Sequence, residues 1–323
     1  MPTLREGYLL VKTVAVAVNP TDWKHIDHFV KEAGPLVGCD YAGIVEQVGP
    51  NVTKQFAKGD RVCGMAHGGN VSQHEDGTFA EHIVVKADVQ MKIPDNLSFE
   101  EAATLGVGLI TVGQGLYRSL GLAQPTNPTT AGETILIYGG STATGALGIQ
   151  FAKASGYRVI TTCSPHNIEQ VRALGADAVF DYRDPECGAK IREYTENRLT
   201  VAWDTISLPI SAKICADALT SGGGAKYSCL LQHQFPRSDI KPDVTLAYTA
   251  FNEEFNIMNK TIPILPGDFE FIKKFIDISR ELLQTGKVKV HTPRVERGLD
   301  KVLEGLQLLR ENKISGEKLV YIV

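Results

Sequence analysis

The sequence predicts an α/β protein of two domains, in which a β-rich domain (residues 1–110 and 266–323) accompanies a doubly wound parallel-sheet domain (residues 111–265). Three observations support this fold class. Short segments rich in β-branched residues and separated by turns dominate up to about residue 100. Strand and helix patterns alternate from residue 134 onward, and a glycine-rich loop joins the first of these strands to the first of these helices.

Composition and charge limit the possible functions. The chain has 323 residues, of which 43% are hydrophobic and 22% charged, as in an ordinary globular protein with room for about two domains. Its formal net charge is −4, so nucleic acid and anionic membranes are not expected as partners. The six cysteines are widely spaced without a CxxC pair, which indicates reduced thiols in a cytoplasmic protein. Glycines interrupt the charge-free stretches, so no membrane-spanning helix is expected.

The β-rich domain opens with predicted strands at residues 9–18, 43–48, 61–65 and 79–85. Asn19-Pro20 ends the first strand and is expected to open a loop. Ser98 and Glu101 have the spacing of a capping box, which predicts a long helix over residues 99–120. Residues 123–132 are rich in Pro, Thr and Asn, and are expected to form a loop.

The second domain alternates strictly between strands and helices. Strands are predicted at residues 134–138, 158–162, 178–181, 200–205 and 225–231, and helices at 145–155, 168–174, 189–196 and 211–219. After residue 266 the pattern predicts helices at 269–283 and 299–310 and strands at 288–290 and 318–323.

A glycine-rich loop, Gly139-Gly140-Ser141-Thr142-Ala143-Thr144-Gly145, follows the strand at 134–138 and precedes a helix. Glycines let backbone N–H groups approach a pyrophosphate, and a helix N-terminus adds partial positive charge. A tight strand-to-helix turn would use the same glycines, but the surrounding βαβαβ pattern favours a dinucleotide site.

The end of the second strand indicates which dinucleotide binds. NAD enzymes usually carry an acidic residue here, whereas this chain has Ser164-Pro165-His166-Asn167. Neutral donors tolerate a ribose 2′-phosphate, which favours NADPH over NADH. Asn167 is also expected to cap the following helix, with Gln170 completing a capping box.

Several motifs together resemble a known family. Asn19-Pro20-Thr21-Asp22-Trp23-Lys24, Gly38-Cys39-Asp40-Tyr41-Ala42-Gly43, Gly59-Asp60-Arg61-Val62 and the glycine loop resemble the zinc-independent quinone-oxidoreductase branch of the medium-chain dehydrogenase/reductases. The segments 139–144, 164–167, 180–183 and 315–319 are similar to fungal trans-acting enoyl reductases of polyketide synthesis, of which the lovastatin-pathway enzyme is an example. The resemblance implies a GroES-like catalytic domain and a Rossmann cofactor domain.

The resemblance also implies site residues. The implied cofactor contacts are Thr21, Asp22, Trp23, Lys24, Ser141, Thr142, Ala143, Thr144, Ser164, Pro165, His166, Asn167, Tyr182, Leu230, Leu231, Ile314 and Ser315. The implied substrate contacts are Gly106, Val107, Gly108, Leu109, Ile110, Thr111, Ala247, Tyr248, Thr249, Ala250 and Phe251.

Metal and nucleophile sites are not expected. Zinc relatives place ligands where this chain has Asn19 and Cys39-Asp40, and the cysteines of a structural zinc lobe are missing. His67 and His74 lie in a glycine-rich segment, which predicts a flexible solvated loop. Cys39 is expected to be a buried thiol, because the neighbouring Asp40 disfavours a thiolate.

The predicted reaction is NADPH-dependent reduction of a double bond conjugated to a thioester, on a carrier-bound or free enoyl substrate, with a polyketide synthase as a possible partner. Lys24 and Thr111 are the candidates for stabilising the enolate formed when hydride reaches the β-carbon. Lys24 could instead contact only the cofactor's ribose or phosphate. The alternatives are a quinone or enone reductase acting on free small molecules, and an NADPH-binding protein without turnover.

Overall fold

A computed structural model describes residues 1–257, 260–265 and 267–323. These residues form two compact units: Met1–Ile110, Ala247–Gly286 and Val290–Val323 make up the first, and Thr111–Leu246 and Lys287–Lys289 the second. Residue 266, where the sequence places the return to the first domain, lies outside the described residues. The chain already rejoins the first unit at Ala247. Within the described part, none of the helices combines the length and apolar character that crossing a membrane requires.

The strands, in chain order, are β1 Tyr8–Ala17, β2 Asp40–Val48, β3 Arg61–Met65, β4 His82–Lys86, β5 Met91–Lys92, β6 Thr134–Tyr138, β7 Arg158–Cys163, β8 Ala178–Asp181, β9 Val201–Asp204, β10 Lys226–Cys229, β11 Asp243–Val244, β12 Phe255–Ile257, β13 Lys260–Ile262, β14 Pro293–Arg297 and β15 Lys318–Ile322. The α-helices are α1 Pro20–Lys24, α2 Phe99–Ala102, α3 Gly106–Val112, α4 Ala143–Ala154, α5 Ile168–Ala173, α6 Cys187–Tyr194, α7 Pro209–Ala218, α8 Asp268–Gln284 and α9 Val302–Arg310. Two π-helices occupy His25–Phe29 and Gly113–Ser119.

The first unit is built around one sheet whose strand order is β14-β15-β1-β2-β3-β5, with β4 also paired to β1. Strand β1 pairs antiparallel with β2, β4 and β15, and most of its side chains are buried. This burial explains why β1 reads as a nearly continuous apolar run rather than an alternating one. The mainly β character predicted for this unit is confirmed.

Three predictions from the sequence are corrected by the structure. Asn19-Pro20 does not open a loop: Pro20 is the first residue of α1, and the Asn19 backbone N–H donates to Asp22 Oδ2 at 2.7 Å. The single helix predicted at 99–120 is divided into α2, α3 and a π-helix, although the Ser98–Glu101 capping box is present. The strand predicted at 288–290 is absent from the described residues there, and β14 forms five residues later, at Pro293.

The second unit has a parallel sheet of order β11-β10-β9-β6-β7-β8. All five strands and four helices predicted here are confirmed within one or two residues at most ends. Fully buried Trp203 packs against Gly115 and Gly148, where a Cβ would lie 2.3 Å and 2.4 Å from its ring. The chain order reverses between β6 and β9, and ligands of such sheets bind outside the carboxyl ends of the strands at that point.

Candidate functional site

The glycine loop lies at the carboxyl end of β6, beside the point where the strand order reverses. Gly139 has a φ of +87°, a conformation that favours glycine. A Cβ on Gly140 would lie 2.1 Å from Thr161 Oγ1, and one on Gly145 would lie 2.2 Å from the Gly139 carbonyl oxygen. These short distances leave no space for a side chain at positions 140 and 145, so both positions require glycine.

Helix α4 begins two residues earlier than the sequence predicts, at Ala143. The Thr142 hydroxyl caps it, accepting from the Gly145 N–H at 2.9 Å and donating to the Gly139 carbonyl at 2.8 Å. The first-turn amides of Ala143 and Thr144 have no helix carbonyl to accept their hydrogens. These half-buried residues, together with Ser141, form a helix N-terminus suited to a phosphate group.

Strand β9, on the other side of the reversal, ends in a buried polar network around Asp204. Its carboxylate accepts from the backbone of Ile206 and Ser207 and from the hydroxyls of Ser211 and Tyr227, at 2.6 to 2.9 Å. Ser207 has a φ of +60°, which is strained for a non-glycine residue. Its hydroxyl accepts the Leu230 N–H at 2.8 Å, so this network positions the predicted cofactor residue Leu230. The adjacent Leu231 is exposed.

The predicted ribose-binding segment follows β7. The Ser164 hydroxyl lies 3.2 Å from the Tyr182 hydroxyl, so two of the implied cofactor contacts are neighbours. Pro165, His166 and Asn167 form a short 3-10 turn. Asn167 occupies the N-cap position of α5, but its side chain makes no capping hydrogen bond, so the predicted capping box is wrong.

The first unit contains a buried charged cluster formed by Asn19, Asp40 and Lys318. The Lys318 ammonium is bonded to the Asp40 carboxylate, to Asn19 Oδ1 at 3.0 Å and to the Thr104 carbonyl at 3.2 Å. The Val107 N–H donates to Asp40 at 2.6 Å, and Asn19 Nδ2 donates to it at 3.0 Å. The Lys318 ammonium therefore neutralises Asp40, and Asp40 occupies a position where the resemblance places a zinc ligand in other family members.

Beside this cluster Asp22 and Cys39 are both buried. Burial raises the pKa of Asp22 to about 7, although the Asn19 backbone N–H opposes this effect. Burial, followed by the charge of Asp22, holds the pKa of the Cys39 thiol well above its ordinary value. The prediction that Cys39 is a buried thiol is confirmed, with burial rather than Asp40 as the main cause.

Tyr248 connects residues that the sequence could not place together. Its hydroxyl lies 2.8 Å from Thr21 Oγ1 and 3.7 Å from Cys39 Sγ. His67 stacks on the Tyr248 ring, with centroids 4.1 Å apart and an interplanar angle of 19°. His67 is 7% exposed, and burial lowers its pKa to about 3, so the ring is neutral. The prediction that His67 lies in a solvated loop is wrong, whereas His74 is exposed.

Helix α1 carries the predicted cofactor residues Thr21 to Lys24, and Ile314 and Ser315 follow α9. Lys24 is half-buried, its ammonium lies 5.6 Å from the centre of the Trp23 ring, and burial lowers its pKa. The Arg310 guanidinium lies 6.0 Å from the same ring. Trp23 and Ile314 pack against the same apolar core, and Ser315 is exposed.

The predicted substrate residues differ in burial. Leu109 and Ile110 are fully buried and line a small internal cavity with Cys63 and Met65, so their side chains belong to the core of the first unit. Gly106 has no room for a Cβ, which would lie 2.2 Å from the Gly64 carbonyl.

The other predicted substrate residues lie on α3 and on a 3-10 helix. Val107 is half-buried, and Gly108 and Thr111 are buried. Thr111 opens the second unit, whereas Lys24 is in the first. Ala247 to Phe251 form the 3-10 helix, in which Tyr248, Thr249, Ala250 and Phe251 are buried.

Side-chain hydrogen bonds link two pairs of predicted site residues within the described part of the chain: Thr21 with Tyr248, and Ser164 with Tyr182. The sequence did not indicate that His25, His67, Asp204 and Ser207 belong to these clusters. The position of Asp204 at the end of a predicted strand was a usable signal, whereas the glycines around His67 indicated a loop and concealed its burial. Within the described residues no three His, Cys, Asp or Glu side chains are grouped to hold a metal ion, and zinc independence stays a prediction.

Comparison with known proteins places both units in families. The alcohol dehydrogenase GroES-like domain matches residues 5–95, and the family described as zinc-binding dehydrogenase matches residues 143–242. The chain is 49% identical to the trans-enoyl reductase resD of Aspergillus sclerotiorum, with 100% of this chain and 95% of that protein covered. It is 59% identical to the trans-enoyl reductase TOXD of Cochliobolus carbonum, with 79% and 85% covered.

Solved structures show the same fold. The CurK enoyl reductase superposes with a TM-score of 0.78 at 20% identity, covering 100% of this chain and 92% of that one. A mycobacterial protein, Rv1454c, whose structure is a complex with NADPH, gives a TM-score of 0.75 at 22% identity, covering 100% of this chain and 93% of that one. Together these structures show a medium-chain dehydrogenase/reductase fold with GroES-like and Rossmann-like domains.

Proposed function

The chain belongs to the trans-enoyl reductase family of medium-chain dehydrogenase/reductases and is an oxidoreductase, and on that premise we propose that it uses NADPH to reduce the conjugated double bond of an α,β-unsaturated polyketide thioester. The observation that carries the proposal is the 49% identity, over the whole chain, to a protein named as a trans-enoyl reductase. The rival functions are reduction of free quinones or enones, and cofactor binding without turnover.

The enoyl reductases of this family bind a nicotinamide cofactor, and the glycine loop fits one. Glycine is required at 140 and 145, and a capped helix N-terminus follows, which is the arrangement that receives a pyrophosphate. Ser141, Thr142, Ala143 and Thr144 would hold that group, and the segments at Thr21 to Lys24, Leu230 to Leu231 and Ile314 to Ser315 would hold the remainder. When bound, a reduced nicotinamide supplies a hydride for the β-carbon.

Two hydroxyls support NADPH rather than NADH as the cofactor. Ser164 and Tyr182, 3.2 Å apart, offer neutral donors to a 2′-phosphate, with Pro165, His166 and Asn167 beside them. Asp181 lies opposite Cys163 in the sheet register. Its Oδ1 lies 3.3 Å from Arg183 Nε. Because that charge is already paired, it is a weaker obstacle to a phosphate than a free carboxylate would be.

Lys24 and Thr111 are proposed to stabilise the enolate. Hydride addition at the β-carbon places negative charge on the thioester oxygen, and an ammonium or hydroxyl directed at that oxygen lowers the barrier. Burial around Lys24 strengthens such an interaction, because fewer water molecules compete for the ammonium. A Lys24 that contacts only the cofactor would change KM for NADPH and leave kcat unchanged.

The substrate is proposed to arrive on an acyl carrier of a polyketide synthase. Relatives named trans-enoyl reductases support this class of substrate. A cytoplasmic location is proposed from the six cysteines, each of which is a buried free thiol.

The test is an NADPH-oxidation assay across 2-enoyl pantetheine thioesters of increasing chain length, with simple quinones and free enones assayed in parallel. The proposal predicts turnover with at least one thioester. Rapid quinone reduction without thioester turnover would contradict it, and NADPH binding without any turnover would favour the non-catalytic alternative.

Two substitutions test the roles of the enolate-stabilising residues. Thr111→Val keeps the shape of the side chain and should lower kcat more than it raises KM, because the missing hydroxyl acts on developing charge. Lys24→Ala should lower kcat/KM by about 10²-fold, the typical loss of one such donor. Lys313→Ala is the matched control, since Lys313 is an exposed lysine paired with Glu311. Equal effects of Lys24→Ala and Lys313→Ala would contradict the assignment.

A further inference from the structure

Reduction of the double bond needs a proton at the α-carbon as well as a hydride at the β-carbon. Lys24 and Thr111 are proposed to stabilise the enolate oxygen, and neither of them is the source of that proton. Tyr248 is a buried phenol in a chain of hydrogen-bonding groups, and its hydroxyl is available for this role.

The direction of the hydrogen bonds around Tyr248 can be worked out from the partners. His25 Nδ1 lies 2.8 Å from the Thr21 carbonyl oxygen, which can only accept, so Nδ1 carries a hydrogen. Nδ1 also lies 3.3 Å from Thr21 Oγ1. The Thr21 hydroxyl can therefore accept from His25 and direct its own hydrogen to the Tyr248 oxygen at 2.8 Å.

The Tyr248 hydrogen is consequently directed away from Thr21. Among residues 1–257, 260–265 and 267–323, the neighbour remaining for it is Cys39 Sγ at 3.7 Å, and sulfur is a weak acceptor. Burial, followed by the Cys39 thiol, keeps the pKa of Tyr248 well above its ordinary value, so the hydroxyl is protonated at neutral pH. A protonated phenol with only a weak acceptor is a competent donor to a stronger base.

Neighbouring rings hold the Tyr248 side chain in one position. His67 stacks on it at 4.1 Å, and His25 packs edge-on with centroids 5.3 Å apart. Phe255 also packs edge-on, with centroids 6.0 Å apart. His67 is neutral and buried, so it supports the phenol without competing as an acid.

From this arrangement we propose that the Tyr248 hydroxyl delivers the proton to the α-carbon of the enolate, and that Thr21 and His25 resupply it. This inference rests on the proposed function. The Tyr248 O–H bond breaks and the α-carbon–hydrogen bond forms, while the enolate electron pair becomes that bond and the thioester carbonyl is restored. The phenolate oxygen then takes the Thr21 hydrogen, Thr21 takes the hydrogen of His25 Nδ1, and His25 Nε2 takes a proton from water.

The decisive experiment is reduction of a 2-enoyl pantetheine thioester by NADPH in D₂O, with wild-type protein, Tyr248→Phe and Tyr41→Phe. Tyr41 is the matched control, a buried tyrosine of the same unit whose hydroxyl donates to Gln90 at 3.1 Å. We expect wild type and Tyr41→Phe to place deuterium on one face of the α-carbon. Tyr248→Phe should lose about 10²-fold in kcat, as for removal of a general acid, and label both faces.

The face of labelling separates proton delivery from a structural role, since a variant that is merely destabilised would still label one face. Tyr248→Phe with kcat within threefold of wild type and one labelled face would overturn the inference and leave the proposed function intact. Absence of thioester turnover in wild type would overturn both.

Thr21→Val provides a second, independent measurement should Tyr248→Phe fail to fold. It removes the hydroxyl that feeds Tyr248 while keeping the side-chain shape, so resupply of the proton should become slow. We expect a larger solvent deuterium isotope effect on kcat with labelling still on one face. An isotope effect equal to that of wild type would contradict the relay.

Discussion

Replacing Lys318 with methionine should destabilise the protein strongly, because Lys318 is the positive partner of a buried carboxylate. Lys318 is 4% exposed and Asp40 is fully buried. Without the ammonium, the donors that Asp40 retains among the described residues are the Val107 N–H and Asn19 Nδ2, too few for a full buried negative charge. Breaking a buried ion pair from one side costs about 3–5 kcal/mol, so we expect a loss of that size in the free energy of unfolding.

Urea denaturation measures this loss as a lower midpoint, with the slope of unfolding free energy against urea concentration unchanged. A double-mutant cycle then assigns its cause. Asp40→Asn in the Lys318→Met background removes the unpaired charge and should recover most of the lost stability. Lys213→Met is the control, since Lys213 forms an exposed pair with Asp217, and it should leave stability unchanged. The reasoning is refuted if Lys318→Met behaves like Lys213→Met, or if Asp40→Asn adds further destabilisation to Lys318→Met.

Three other substitutions test the candidate site. Asp22→Asn should raise the free energy of unfolding at pH 8 by about 4 kcal/mol, because burial raises the pKa of Asp22 to about 7 and wild type loses stability as pH rises from about 4 to 7. Urea titrations at pH 4 and pH 8 check that this gain vanishes at the lower pH. Ser207→Gly relieves a φ of +60° but removes the acceptor for the Leu230 N–H, so thermal stability should hold while Kd for NADPH rises about fivefold by fluorescence titration. Ser164→Asp should lower the NADPH-to-NADH affinity ratio at least about tenfold in the same titration, because a carboxylate repels the 2′-phosphate; an unchanged ratio would remove Ser164 from the phosphate site.

The Rossmann-like unit was the part most readily predicted from sequence. Its parallel strands are short and largely apolar, and Gly156 and Gly175 follow the first two helices, so periodicity and helix-ending residues coincide there. The loop between β6 and α4 was equally accessible, because Gly140 and Gly145 are fixed by contacts within a local strand-loop-helix segment.

Long-range pairings could not be predicted in this way. Lys318 and Asp40 are 278 residues apart, and nothing local to either position indicates that one neutralises the other. The capping box at Ser98 and Glu101 predicted one helix over 99–120, but a new helix begins at Gly106, where a Cβ would lie 2.2 Å from the Gly64 carbonyl oxygen. His67 was misjudged for the same reason, since the rings that bury it come from Tyr248 and Phe255.

Hydride transfer to the β-carbon of a conjugated thioester can be followed with a single isotope. The wild-type protein is supplied with NADPH deuterated at nicotinamide C4 and a 2-enoyl pantetheine thioester in ordinary water, and the product is analysed by NMR. The proposed function predicts deuterium at the β-carbon and ordinary hydrogen at the α-carbon. Label at the carbonyl carbon, or none in any thioester while quinones are reduced rapidly, would contradict it.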